Sequence, residues 1–153
     1  MTTAAPPSSF LHLVVGYDGS PPASRALDAA VRLLQGRTGR IEVVYVAHLS
    51  SVVMLSADAI AEMESDFDDI AQELRAQAAG ELGGHTVAWG FLRRQGVIAE
   101  ELIAAATGLQ EAGAAGAVVV IVVGSSSHAT HRVVGSVAVS LARHSPVPVI
   151  IVP

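Results

Sequence analysis

The sequence predicts an α/β fold: a doubly wound, Rossmann-like sheet of five parallel strands with helices on both faces. Runs rich in β-branched residues alternate with longer stretches of helical periodicity, in the order β-α-β-α-β-α-β-α-β. Parallel strands joined in this way need right-handed crossovers, and these crossovers place helices on both faces of the sheet. The run at residues 118–123 consists only of valine and isoleucine, as expected for a strand that is covered on both faces.

Composition restricts both the number of domains and the chemistry. A chain of 153 residues is near the length of one domain, and we expect residues 10–153 to form it after a flexible arm at residues 1–9. The net charge of −5 argues against nucleic acid as a partner, because phosphate binding needs clustered positive charge. The absence of cysteine excludes thiolate nucleophiles and cysteine-ligated zinc. All nine basic residues are arginine, which excludes chemistry that needs a lysine, such as a Walker P-loop.

The first strand is predicted at Leu11–Gly16, and the first helix begins shortly after it. Ser20 supplies a hydroxyl N-cap and Pro21 occupies the first helical position, an arrangement typical of a helix start. Apolar residues at helical spacing then form one stripe, and we expect Gly36 and Gly39 to end the helix.

The second strand is predicted at residues 41–47, and a long second helix at about residues 57–79. One face of that helix is apolar and is expected to pack on the sheet. Its members are Ile60, Met63, Phe67, Ile70 and Leu74. Acidic residues cluster in the first half of the helix, namely Asp58, Glu62, Glu64, Asp66, Asp68 and Asp69. We interpret this cluster as a solvated face near the positive end of the helix dipole.

The second half of the chain continues the alternation. Its predicted elements are strand three at residues 86–92, helix three at 97–109, a loose connection at 108–116, strand four at 118–123, helix four at about 130–144 and strand five at 147–152. In strand three, Trp89 and Phe91 are expected to pack in the core rather than to stack on a ligand.

Ligands of doubly wound sheets bind beyond the carboxyl ends of the strands, where the strand order reverses. A flavodoxin-like order would place this reversal between strands one and three, and a 3-2-1-4-5 order would place it between strands one and four. Strand one ends in residues 16–20 (GYDGS) and strand four in residues 124–127 (GSSS). Both ends are short, polar and glycine-flanked, as a backbone approached by a ligand should be, whereas residues 92–96 (LRRQG) resemble an ordinary charged loop. We therefore predict the order 3-2-1-4-5.

Four segments, taken in order, resemble the universal stress protein family. They are residues 14–20 (VVGYDGS), 122–125 (VVGS), 135–137 (GSV) and 144–149 (HSPVPV). The resemblance extends from about residue 11 to the end of the chain. It implies a stress-response protein, with an adenine-nucleotide site in those members of the family that bind ATP; ATP with Mg²⁺ is the candidate cofactor.

The resemblance also implies roles for individual residues. Asp18 would hold the ribose hydroxyls, Val46 would border the adenine, and a loop of the pattern G-x2-G-x9-G-[S/T] would cradle the phosphates. Gly124 matches the first glycine of that loop, and Gly135 with Ser136 matches its closing pair. The complete predicted nucleotide-binding set is Tyr17, Asp18, Gly19, Ser20, Val46, Gly124, Ser125, Ser126, Ser127, Gly135, Ser136 and Val137.

Elementary chemistry supports these roles. A carboxylate can accept hydrogen bonds from two vicinal hydroxyls, and such bonds are charge-assisted. We expect the amides of Ser125, Ser126 and Ser127 to form a concavity that binds an anion, and the start of the last helix to add its dipole. The sequence departs from the family loop in two ways: Ser127 replaces the second glycine, and seven residues instead of nine separate it from Gly135.

The altered loop leaves two classes of function open. In the first, the protein is an adenine-nucleotide binding module without dedicated catalysis. In the second, it is a homodimeric stress protein that binds no nucleotide and acts through protein–protein contacts. There is no G-x-S-x-G elbow, so weak ATP hydrolysis is the enzymatic alternative that remains. His128 and His131 lack the further ligands that a zinc site requires, and we interpret them as solvent-facing.

The last strand, from Val147 to Val152, is apolar and is expected at an edge of the sheet. An uncovered edge of this kind favours association, and Pro148 is tolerated there because it removes one donor from the ladder. We predict a homodimer that pairs two copies of this strand, as the resemblance also implies. No apolar run is long enough to span a bilayer, so we expect no membrane partner and a cytoplasmic location.

Overall fold

A computed structural model describes residues 9–48, 56–113, 116–125 and 135–153. The strands are β1 (Leu11–Gly16), β2 (Gly39–Ala47), β3 (Ala88–Gln95), β4 (Val118–Gly124) and β5 (Val149–Val152). The helices are α1 (Pro21–Leu34), α2 (Ala57–Leu82), α3 (Ile98–Ala112) and α4 (Ser136–His144). These strands form one parallel sheet in the order β3-β2-β1-β4-β5. The predicted fold class and strand order are confirmed.

The sheet separates two apolar cores, one on each face. Leu27 of α1 and Leu74 of α2 belong to the first core, and Leu102 of α3 and Leu141 of α4 belong to the second. β1 lies at the centre of the sheet and pairs with both β2 and β4. The strand order therefore reverses between β1 and β4, and this reversal places the carboxyl ends of these two strands side by side.

α1 begins as its sequence predicts. The Ser20 hydroxyl accepts a hydrogen bond from the Ala23 amide at 3.4 Å, and Pro21 is the first helical residue. The expectation that Gly39 helps to end this helix is wrong. Gly39 already pairs with Leu11 as the first residue of β2, so the sheet ladder begins at that position.

β3 lies further along the chain than predicted. It runs to Gln95 instead of ending at residue 92, because two arginines that were expected in a loop continue the ladder with β2. Arg93 and Arg94 both reach carboxylates on neighbouring helices, so their charges are neutralised at the sheet edge. As predicted, two aromatic residues of this strand pack against the core, Trp89 and Phe91.

Three other boundaries differ from the predictions. α3 extends to Ala112 and takes up part of the predicted loose connection. α4 begins at Ser136 rather than near residue 130, because Gly135 has the extended backbone of an N-cap. β5 begins at Val149, directly after Pro148, which has no amide to donate.

α2 departs most from its predicted packing. Only its second half is buried, through Ala71, Leu74, Ala78 and Leu82. Within residues 57–70 of the helix, Ile60 is 46% exposed and Ile70 is 41% exposed, so the prediction that these two residues pack on the sheet is wrong. The 26 residues of α2 span about 39 Å at 1.5 Å per residue. The nine residues of β2 span only about 30 Å, and the helix therefore extends beyond the sheet.

Ser9 precedes β1 without regular secondary structure. The rest of the predicted arm lies outside the described residues. Within the described ranges, no helix combines the length and the apolar character needed to cross a membrane.

Candidate functional site

A cleft of about 250 Å³ opens at the carboxyl ends of β1 and β4. Asp18 and Ser20, from the turn after β1, form one wall of the cleft. Gly135, Ser136 and Val137, at the start of α4, line the same cleft. The predicted neighbours therefore meet, because β1 and β4 pair directly.

The floor of the cleft is apolar. Val44 and Val46 of β2 and Val123 of β4 line it, and α3 adds Ile98 and Leu102. Of these, Val46 was predicted as the residue that borders an adenine. The part played by Ile98 and Leu102 was missed, because helical periodicity places them on an apolar face but does not show that this face reaches the cleft.

Asp18 is exposed at the mouth of the cleft. Its Oδ1 accepts a hydrogen bond from the Ser20 amide at 3.0 Å, which closes a local turn before α1. The Ser20 hydroxyl caps α1 at the same time, so the turn has a defined shape. The other carboxylate oxygen of Asp18 accepts no hydrogen bond from a described residue, and it can accept one from a ligand hydroxyl.

Tyr17 lines the cleft, but its side chain belongs to the core on the opposite face of the sheet. Its phenol donates a hydrogen bond to Oε1 of Glu81 at 2.7 Å, and the Ser24 hydroxyl donates to the same oxygen at 2.8 Å. Burial raises the pKa of Tyr17, and the bond to Glu81 raises it further. The phenol is thus committed to α2. Sequence reasoning missed Glu81, since 64 positions separate it from Tyr17 and no local pattern joins them.

Gly19 packs closely against α2. Its φ of +76° lies in the left-handed region that favours glycine, and a Cβ at this position would come within 2.7 Å of the Leu74 side chain. Its carbonyl accepts a hydrogen bond from Nε2 of Gln77 at 3.3 Å. Gly19 is not part of the cleft lining, so its contribution to the site is the shape of the turn that carries Asp18.

The end of β4 touches the start of α1. A Cβ at Gly124, which lines the cleft, would overlap the backbone of Pro22, so this close approach requires glycine. The next residue, Ser125, donates its amide to the Val152 carbonyl of β5 at 2.7 Å. The expected anion-binding role of the Ser125 amide is therefore wrong, because that amide extends the sheet ladder.

The first turn of α4 faces the cleft. Gly135 is the N-cap and makes no side-chain cap hydrogen bond, and Ser136 and Val137 line the cleft beside it. The amides at a helix N-terminus carry partial positive charge and favour an anion. Among the described residues, no arginine or histidine lines the cleft. The predicted loop residues Ser126 and Ser127 lie outside the described residues, as do His128, His131 and Arg132.

A family model described as the universal stress protein family matches residues 9–153. The chain belongs to this family. A similar solved structure is universal stress protein UspA from Lactobacillus plantarum, with a TM-score of 0.76, 20% identity, and coverage of 95% of this chain and 99% of that chain. A universal stress protein in complex with cAMP is also similar, with a TM-score of 0.64, 23% identity, and coverage of 95% and 99%.

A third similar structure is the universal stress protein from Archaeoglobus fulgidus in complex with dAMP. Its TM-score is 0.59 and its identity 19%, with coverage of 95% of this chain and 98% of that chain. Comparison with curated protein sequences gave no match. At these identities the likeness establishes the universal stress protein fold, and the chemistry of the cleft rests on the residues of this chain.

Those residues offer apolar side chains, one carboxylate and a helix N-terminus within one cleft. These are groups that can contact the base, a ribose hydroxyl and a phosphate of a nucleotide. No group of three metal-ligating side chains occurs in the part of the chain that the structure describes, where Asp18 is the one carboxylate that lines the cleft. Phosphate oxygens and water would therefore supply most ligands of a Mg²⁺ ion that arrives with the nucleotide.

Proposed function

We propose that this universal stress protein is a binding module for an adenine nucleotide and has no dedicated catalytic step. The observation that carries the proposal is that Asp18 and residues 135–137 line one cleft together with apolar side chains of β2, β4 and α3. An adenine nucleotide presents matching chemistry: ribose hydroxyls, a flat base and an anionic phosphate. By resemblance to the family, the expected nucleotide is ATP with Mg²⁺.

Each group of residues in the cleft contacts one part of the nucleotide. Asp18 accepts hydrogen bonds from the ribose through the oxygen that its own turn leaves free, and these bonds are strengthened by its charge. Val46 and Leu102 pack against the base. The first-turn amides of α4 bind the phosphate nearest the ribose. These contacts bind and orient a nucleotide, so they support ligand binding rather than turnover.

Two structures of similar fold support the adenine-nucleotide class. One was solved in complex with cAMP and the other in complex with dAMP. Their ligands also differ at the ribose, since cAMP has a free 2′-hydroxyl and dAMP has none. A comparison of nucleotides with and without the 2′-hydroxyl therefore tests the role proposed for Asp18.

Isothermal titration calorimetry with AMP and dAMP provides this test. Wild-type protein should bind AMP about tenfold or more tightly than dAMP, because a hydrogen bond to a charged group contributes about 1.5–3 kcal/mol. Asp18→Asn keeps an oxygen acceptor for the Ser20 amide and should lose most of this discrimination. Asp28→Asn makes the same chemical change on the exposed face of α1 and is the matched control.

Parallel titrations with ATP and Mg²⁺ test the nature of the nucleotide. An affinity for ATP that Asp18→Ala lowers by about tenfold or more would support the proposal. The absence of any heat with AMP, dAMP, cAMP or ATP at millimolar concentration would overturn it. Equal affinities for AMP and dAMP would overturn the role given to Asp18.

The open edge of β5 favours a second candidate function, a homodimer that acts through protein–protein contacts. β5 is an edge strand that pairs with β4, and its four apolar residues are only half-buried. Amides of β4 and its end donate to the carbonyls of Pro148 and Val152. The alternate residues, Val149 and Ile151, therefore direct their backbone polar groups away from β4. We propose that a second copy of β5 pairs with these groups.

Sedimentation at micromolar concentration tests this pairing. Ile151→Pro removes an outward-facing amide and should yield monomers, whereas Ile151→Ala keeps the amide while it shortens the side chain and should remain dimeric. A wild-type monomer, or a dimer that survives Ile151→Pro, would contradict pairing through β5. A dimer without affinity for nucleotides would favour this second function over the first.

A further inference from the structure

The first half of α2 carries an apolar stripe that the rest of the described protein leaves uncovered. Ile60 and Ile70 are exposed, and Met63 and Phe67 between them are half-buried. These residues recur at helical spacing and continue the stripe that is buried in the second half of the helix. Covered at one end and open at the other, the stripe offers apolar area that another surface can bury.

An acidic ridge runs beside this stripe. It consists of Glu62, Asp66, Asp69 and Glu73, which follow one another at intervals of three or four residues and therefore share one side of the helix. All four side chains are exposed. None of them forms an ion pair with a described residue. The apolar stripe and the acidic ridge run parallel to each other along the surface of the helix.

The exposed half-helix is held in place from its other side. Ser56 caps it by accepting a hydrogen bond from the Ala59 amide at 3.3 Å. Arg93 of β3 reaches Glu64 at 2.8 Å and Asp68 at 2.9 Å. These contacts do not involve the side chains of the acidic ridge, and they hold the stripe and the ridge in a fixed position on an ordered helix. A surface that is already ordered loses less conformational entropy when a partner binds.

The negative charge of the acidic ridge indicates which class of partner can bind to this surface. In an antiparallel two-fold pairing of this surface with a second copy, the two acidic ridges would lie against each other and repel. Nucleic acid and anionic membranes are repelled for the same reason. A helical segment with an apolar face and an adjacent row of lysine or arginine complements both surfaces, because its apolar face matches the stripe and its basic row matches the acidic ridge. We propose that residues 60–73 of α2 form a docking surface for an amphipathic basic helix of another protein.

This docking surface lies outside the nucleotide cleft, and the proposal is independent of the nucleotide. A synthetic helical peptide of about 18 residues, about five turns, is a suitable probe, with leucine along one face and lysine beside it. Fluorescence anisotropy should give a dissociation constant on the order of micromolar. Added salt should weaken the complex, because it screens exposed charges.

Two comparisons of a test variant with a control variant distinguish the contributions of the apolar stripe and the acidic ridge from the effects of a polar substitution or a change in net charge elsewhere on the protein. Ile60→Ser with Ile70→Ser should weaken binding by about tenfold or more, whereas Val139→Ser, at an exposed position of α4, should not. Asp66→Asn with Asp69→Asn should weaken binding and flatten its salt dependence. Glu100→Gln with Glu111→Gln changes the net charge equally on α3 and should leave binding unchanged.

Three results would overturn the proposal. The first is the absence of peptide binding at millimolar concentration. The second is equal weakening by the two acidic pairs, which would show that net charge alone attracts the peptide. The third is a wild-type dimer that Ile60→Ser with Ile70→Ser dissociates, which would identify a second copy of this chain as the occupant.

Discussion

The phenolic oxygen of Tyr17 lies 2.7 Å from a carboxylate oxygen of Glu81, and this bond ties the end of β1 to α2. Ser24 donates to the same oxygen, and Gln77 of α2 donates to the carbonyl of Gly19. The turn after β1 is thus positioned by a helix whose described residues lie outside the cleft lining. A change on α2 can therefore alter the geometry of the candidate site.

We expect Glu81→Leu to destabilise the fold and Glu81→Gln to leave it nearly unchanged. Leucine removes the acceptor of two part-buried hydroxyl groups, and an unpaired buried donor costs about 1–3 kcal/mol. Glutamine keeps an oxygen acceptor. Urea unfolding followed by circular dichroism measures the difference, and a Glu81→Leu variant as stable as wild type would show that the bond to Tyr17 contributes nothing.

Gly124→Ala should lower the unfolding free energy by about 1–3 kcal/mol or more. The added methyl group would overlap the backbone of Pro22, so β4 and the start of α1 would have to separate. The measurement is the midpoint of thermal unfolding.

The matched control for this prediction is Gly108→Ala. Gly108 lies in α3, and a Cβ there would meet no atom within 4 Å. Alanine should stabilise the helix at this position by about 0.5–1 kcal/mol relative to glycine. Both variants add one methyl group, so opposite signs would identify the close approach at Gly124 as the cause. A neutral Gly124→Ala would refute that approach.

His12 should make the stability of the protein depend on pH. Burial lowers the pKa of His12 from its ordinary value of 6.5, and the charge of Arg40 lowers it further, while Glu42 acts in the opposite direction. Between the lowered pKa and 6.5 the unfolded chain binds more protons than the folded chain. The contribution of His12 is therefore fully present above the unfolded pKa and is lost as pH falls through the folded one.

Unfolding curves at about pH 7 and about pH 5, on either side of the histidine range, test this expectation. His12→Gln should lose less stability between these pH values than wild type does. His85→Gln, at an exposed position after α2, should keep the wild-type profile. If His12→Gln and wild type respond identically to pH, the prediction fails.

Arg93→Gln should loosen the first half of α2 without unfolding the domain. Its guanidinium bonds Glu64 and Asp68 and lies 5.8 Å from the centre of the Phe67 ring. The hydrogen bond from Arg93 also holds the pKa of Glu64 below its ordinary value. Amide hydrogen exchange should accelerate at residues 57–70, while the free energy of global unfolding changes by less than about 1 kcal/mol.

Arg75→Gln is the control for this prediction. Arg75 is exposed on the same helix and forms no ion pair with a described residue. Its variant should keep wild-type exchange rates at residues 57–70. Unchanged exchange in Arg93→Gln would show that other contacts hold the half-helix.

Much of the fold could be predicted from local patterns. The alternation of strands and helices gave the fold class, and the polar ends of strands one and four gave the correct strand order. The end of strand one led to Asp18, and the resemblance to the universal stress protein family led to Gly135 and Ser136; all three line one cleft. Tyr17 and Ser125 were predicted with them, yet the phenol of one and the amide of the other are committed to α2 and β5. Those commitments involve distant segments, which a local pattern does not report.

The amino-acid sequence by itself determined the alternation of strands and helices along the chain, the N-cap of α1 at Ser20 and which faces of the helices are apolar, since these properties depend on neighbours a few positions away. The tertiary structure alone decided which part of an apolar face is covered. Ile60 and Leu74 belong to one stripe of α2, yet only Leu74 is buried. The helix is longer than the sheet on which it packs, and burial depends on that difference in length.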